Sequence, residues 1–190
     1  MDIRASDGAQ RHYRRHVLAL RLFAYQVRTG TITVMTRLSR HQQETLRGRW
    51  GFTDDTRRRG QTPSSLERFM HSSRARSEAA ALAVFCRVYD ERLRGDRAFV
   101  SQRTTLTLEL GERMIPAYEA FRACFPECKF PFEELTEFQL EDLLNFVVKI
   151  AENEAVGLGS CVSCGATVLI DRFKPDRPMC GHCQREHTER

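Results

Sequence analysis

The chain has 190 residues, 41% of them apolar and 29% charged, with a formal net charge of +5; that mixture belongs to globular proteins and excludes wholesale disorder. No apolar run reaches the roughly eighteen residues of a membrane span, and the first seven residues, Met1 to Asp7, lack the apolar stretch of a secretory signal, so the expectation is a cytoplasmic protein with no membrane partner. In such a reducing compartment the seven cysteines are tested first as metal ligands, ahead of disulfides.

The first periodic segment runs from Tyr13 to Val27. Tyr13, Val17, Leu20, Ala24 and Val27 step by four and three, with Leu18, Leu22 and Tyr25 widening the stripe, which predicts an amphipathic helix. Thr29-Gly30 is expected to end it, glycine being suited to a left-handed closing position. After a short apolar segment, Thr31 to Leu38, Ser39 and Gln42 form a capping-box pattern that opens a helix running to about Trp50. The result is two helices around a tight turn centred on Ser39. The second carries Arg40, His41, Gln43, Glu44, Arg47 and Arg49 around an inner Leu46.

Residues 51–65 are rich in breakers and charge and read as a loop. A helical block follows with Leu66, Phe69 and Met70, then a helix from Glu78 to Leu93 with Leu82, Phe85, Val88 and Tyr89 on one face. Between Thr104 and Leu110 the leucines alternate like a strand, while Leu106, Leu110, Met114, Ala117 and Phe121 keep helical spacing; the segment is assigned to a helix. Pro126 and Pro131 bound a connector. Thr136 with Gln139 then opens another capped helix, Phe138, Leu143, Val147 and Ile150 inward, ending near Gly157.

The most specific pattern lies at the C-terminal end: Cys161-Val-Ser-Cys164-Gly, fifteen intervening residues, then Cys180-Gly-His-Cys183. Each C-x2-C pair folds as a knuckle with two thiolates on one metal, and the hairpin between them brings the pairs together as a tetrahedral site. Gly165 and Gly181 suit tight knuckle turns, and Thr167 to Ile170 and Met179 look like short strands. Four thiolates make a closed, soft site, so one structural zinc ion is expected. A segment with so few apolar groups depends on that ion to fold. His182 and His187 are expected to be exposed side chains, and Cys86, Cys124 and Cys128 buried small hydrophobes.

Charge is distributed unevenly. Residues 1–103 hold 21 basic and 10 acidic groups, residues 104–159 hold 4 and 11, and residues 160–190 hold 5 and 4. The basic half is the candidate for meeting a polyanion, and the acidic segment reads as a protein-facing or solvated surface. A basic helix after a tight turn suits the major groove, its first turns meeting base edges while flanking arginines hold phosphates. The candidate DNA-binding residues are Arg37, Arg40, His41, Gln43, Arg47 and Arg49. The expected fold is mainly α: a multi-helix domain with this helix-turn-helix-like segment over residues 1–157, plus a small four-cysteine zinc ribbon over residues 158–190.

Several segments, in order along most of the chain, resemble the flagellar transcriptional activator FlhC family. They are Leu38-Ser39-Arg40 leading to Leu46-Arg47-Gly48, Pro63-Ser-Ser-Leu-Glu-Arg-Phe69-Met70, Ala83-Val-Phe85-Cys86, Pro116-Ala-Tyr118-Glu-Ala-Phe121, and Ser160-Cys161-Val-Ser-Cys164-Gly165 with Cys180-Gly-His-Cys183. The four cysteines match that family's zinc ligands position by position. The resemblance implies a mostly helical protein with a zinc ribbon that binds promoter DNA as a hetero-oligomer with an FlhD-type subunit and activates flagellar genes with RNA polymerase. The run Glu137 to Phe146 is more acidic than the family's and lacks its tryptophan, and residues 51–60 are unusually basic; with these departures the alternative expectation is a divergent branch that controls a mobile element's transfer genes. A protein-interaction adaptor is the competing expectation. An enzyme is not expected, because no H-E-x-x-H, phosphate-binding glycine loop or nucleophile elbow occurs.

Overall fold

A computed structural model describes residues 3–53, 67–89, 106–136, 156–174 and 177–189. The described part is mainly helical: α1 (Ile3–Ala24), α2 (Thr29–Thr36), α3 (Arg40–Arg49), α4 (Glu67–Met70), α5 (Ser73–Tyr89), α6 (Leu108–Cys124) and α7 (Phe132–Thr136), then strands β1 (Val156–Ser160) and β2 (Thr167–Asp171), and α8 (Gly181–Thr188). No helix among these residues is long and apolar enough to cross a membrane.

The expected stripe of α1 is met in part: Leu18, Leu22 and Val27 are buried and Leu20 and Tyr25 pack against the core, but the packed side is rotated toward Ala19 and Phe23. Leu18, Ala19, Leu22 and Phe23 are buried, while Tyr13, Val17 and Ala24 are exposed. Apolar residues surround the C-terminal half of α1, and the side that packs is the one where α6 comes close. A Cβ on Gly111 would lie 2.8 Å from Leu18 Cδ2 and 3.3 Å from Met35 Sδ, so glycine sets that approach. Ionic contacts then fix the rotation: Arg14 Nε donates to Glu112 at 2.9 Å and Arg21 to Glu119 at 2.8 Å, seven residues further along both helices. The acidic segment therefore neutralises part of the basic one. Helix α1 also ends earlier than Thr29-Gly30. Gln26 takes the left-handed position (φ 56°), Val27 N–H bonds to Leu22 O, and Gln26 N–H bonds to Phe23 O, a Schellman closure. Gly30 instead lies inside α2.

The expected α2–turn–α3 pair is present, with Arg37 left-handed (φ 59°) and the reciprocal Ser39/Gln42 capping box formed. Helix α5 begins at Ser73, earlier than Glu78. Its buried side is the small-residue one, Ala75, Ala79, Ala80, Leu82, Ala83 and Cys86, which lets α6 and β2 lie close, while Val88 and Tyr89 are exposed. On α6, capped by Thr107, the expected series holds: Leu110, Met114, Ala117 and Phe121 are buried. The helix expected from Thr136 lies mostly outside the described residues. At its end, Val156 to Ser160 is a strand, antiparallel to β2 with Leu158 opposite Leu169. Leu169 is buried in the helical core and Leu158 packs against it. Arg28 pairs with the fully buried Glu133, fastening α2 to α7.

Candidate functional site

The four cysteines converge. Cys161 follows β1, its N–H bonded to Ala166 O at 2.7 Å, and Gly165 N–H returns to Cys161 O at 2.9 Å with Gly165 at φ 75°, so the first knuckle turns where only glycine is at ease. Val162 N–H bonds to Pro178 O at 2.9 Å, drawing the second pair alongside. Cys180 caps α8, and Cys183 sits in its first turn; Met179, expected on a strand, precedes that cap in irregular backbone. All four Sγ atoms lie within 4.8 Å of one another, and Cys164 Sγ is 3.6 Å from Cys180 Sγ. A tetrahedral ion with metal–sulfur bonds of about 2.3 Å needs sulfur separations of about 3.8 Å, so the cluster fits a metal ion. Cys161, Cys180 and Cys183 are buried and Cys164 is exposed.

The thiols titrate away from their ordinary range. Backbone N–H groups of Cys180 and Cys164 pull the Cys161 thiol down to about 6. Hydrogen bonds with the Cys164 and Cys180 side chains, together with burial, push Cys183 up to about 12. One thiolate is favoured and its neighbour resists a second charge; a dication at the centre removes that conflict. His182 and His187 are exposed on α8, His182 facing Glu186 at 3.3 Å. Cys86 and Cys128 are buried as expected; Cys124 is exposed, against expectation, in the last turn of α6.

The candidate DNA-binding residues divide. Arg37, Arg40, His41 and Arg49 are exposed, with Arg40 held to Glu44 at 3.0 Å. Gln43 and Arg47 are not at the surface: they are 1% and 3% exposed. Gln43 Nε2 donates to Thr33 Oγ1 at 2.8 Å and to Leu38 O at 3.0 Å, tying α3 to α2 and to the turn. The Arg47 guanidinium lies over the Phe23 ring, 4.1 Å from its centroid. Both sit one helical turn apart beside Leu46, so the side of α3 that packs on α1 and α2 includes them. The outer side is His41, Thr45 and Gly48, with Gln42 and Arg49 next to them and Trp50 exposed at the end. A seven-residue step from His41 was the signal in the sequence for Thr45 and Gly48.

The ribbon is fastened to α5. Gly181 N–H donates to Ser77 Oγ at 3.4 Å, and the Ser73 hydroxyl donates to the Gln184 side chain. A Cβ at Gly181 would stand 3.3 Å from the Arg74 backbone. The chain matches no protein-family model, and no curated protein matches it.

Proposed function

We infer that the chain is a DNA-binding transcriptional activator subunit of the FlhC type, with α2 and α3 acting as a helix-turn-helix-like unit and one structural zinc ion held by Cys161, Cys164, Cys180 and Cys183. The observation that carries the reading is the outer side of α3. It presents His41, Thr45 and Arg49 beside Arg37 of the turn and Arg40 at the start of the helix, and the one carboxylate that α3 itself carries, Glu44, is engaged by Arg40. Gln43 and Arg47 serve this side from within by holding the helix still. Base edges would be met by His41, Thr45 and Arg49, and phosphates by Arg37 and Arg40. The subunit works with an FlhD-type partner and RNA polymerase at promoters and has no catalytic step.

A protein-interaction adaptor is favoured by a separate feature, the apolar row Tyr13, Val17 and Ala24 on the outward side of α1. Both readings need a partner, and DNA separates them. The full chain, co-expressed with an FlhD-type subunit, is titrated against genomic DNA fragments and footprinted. A protected site, lost in Arg49→Ala with random-sequence binding kept, supports base reading by α3. Affinity independent of salt rejects DNA binding and leaves the adaptor.

A further inference from the structure

Arg11, Arg15, Leu18 and Leu22 step by four, three and four, so they share one side of α1; His12, Ala19 and Phe23 occupy the adjoining row. The four apolar members are buried, yet every residue from Asp7 to Tyr13 is exposed. Helix α1 therefore leaves the body as an arm, and the side that faces the core further along continues past it as Arg11, His12 and Arg15. The chain reverses at the Schellman closure, and Met35 near the end of α2 comes to the level of Leu18 beside Gly111. Helix α3 then runs back until Arg47 reaches Phe23. The turn at Arg37 and the start of α3 thus lie at the end of the body from which the arm projects.

Two basic groups flank that corner: Arg11, His12 and Arg15 from the arm, and Arg37, Arg40 and His41 from the turn and α3. On the α6 side of the same helix Arg14 and Arg21 are taken by Glu112 and Glu119. Among the described residues, by contrast, no carboxylate lies within ion-pair reach of Arg15 or Arg37, and Arg11 meets only the exposed Asp7 at 3.5 Å.

We propose that the arm grips a phosphate strand of a nucleic-acid duplex through Arg11 and Arg15, with the same duplex lying against the outer side of α3. The proposal rests on the DNA-binding reading and extends it to an element whose periodic stripe was expected to serve the core. Guanidinium forks match phosphate oxygens, and two groups of them on separate elements suit a strand that repeats its charge along its length. An anionic lipid surface fits less well, because Glu109 and Glu112, both partly exposed, border the arm.

The test uses the zinc-loaded full chain and a 25-base-pair duplex of random sequence, followed by fluorescence anisotropy over a range of salt. Arg11→Gln with Arg15→Gln is expected to lower the slope of log affinity against log salt by roughly 2, about 1 for each phosphate no longer neutralised. Arg11→Lys with Arg15→Lys keeps the charge and the slope, and Val84→Ala on the exposed side of α5 leaves both unchanged. A wild-type chain with a steep slope that the glutamine pair does not alter overturns the arm and leaves the reading of α3 standing. A wild-type chain with no salt-dependent duplex binding overturns both. Loss of binding to phosphatidylglycerol vesicles in the glutamine pair, with duplex binding intact, reassigns the arm to a membrane surface and overturns the proposal.

Discussion

The ribbon and the α2–α3 pair are both too small to be held by apolar burial alone, and each is closed by a polar clamp, but the clamps differ in kind. In the ribbon, four sulfurs lie within 4.8 Å of one another, and as thiolates they would repel one another unless they shared a cation. In the helical pair, one buried amide and one buried guanidinium are engaged by the protein itself: Gln43 by Thr33 and Leu38, Arg47 by Phe23. One clamp is conditional on a ligand and the other is permanent.

The largest effect should come from opening the conditional clamp. Cys161→Ser, Cys180→Ser or removal of metal by a chelator is expected to unfold the ribbon and reach into the helices, because Leu169 belongs to the helical core and Gly181 is bonded to Ser77 of α5. A loss of about 3 kcal/mol or more is expected, given how much folding free energy such ions supply. Atomic absorption and urea unfolding measure the two halves of the claim. Full metal content in Cys161→Ser rejects the four-sulfur site.

The permanent clamp is tested next by Arg47→Ala. A base-reading arginine would leave stability unchanged; a buried one removes packing against Phe23 and costs roughly 2–4 kcal/mol. Urea unfolding at neutral pH decides between them, and a midpoint equal to wild type would return Arg47 to the surface.

How far the sequence reveals these regions follows from the kind of signal each carries. Cysteine spacing states which side chains can converge, so the four-cysteine cluster was legible to the residue, and the Ser39/Gln42 box fixed the start of α3. Helix rotation was legible on α6, where Leu110, Met114, Ala117 and Phe121 are buried as their spacing predicts, but not on α1 or α3. Around α1 apolar residues occur on two sides, and the side that packs was chosen by Gly111 and by the Arg14–Glu112 and Arg21–Glu119 pairs, each 98 residues away in sequence. On α3 the charge of Arg47 and the polarity of Gln43 pointed outward, but tertiary partners accept both. Helix α8 and strand β1 were missed because the thiolates and the pairing with β2 organise them, and neither has a local periodicity strong enough to announce itself.

Smaller effects refine the contrast. Ser39→Ala removes the hydroxyl that accepts from Gln42 N–H and should cost about 1 kcal/mol, since one half of the capping box goes with it. Thermal unfolding followed by circular dichroism measures it. A shift as large as that of Arg47→Ala would mean that the turn holds α3 in place, with the buried clamp secondary.

The smallest effect has the opposite sign. Gly48 is exposed in the last turn of α3, and a Cβ there would meet nothing within 4 Å, whereas at Gly111 it would stand 2.8 Å from Leu18. Glycine in a helix interior is less favourable than alanine by about 1 kcal/mol, so Gly48→Ala should stabilise the chain by up to that amount, and nothing inside the fold requires glycine at this position. The same variant examined with duplex DNA separates two explanations for the residue. Higher stability with weaker duplex affinity means that the missing side chain provides clearance between His41, Thr45 and the bound strand. Higher stability with unchanged affinity moves the contact surface along α3, toward Arg49 and the exposed Trp50.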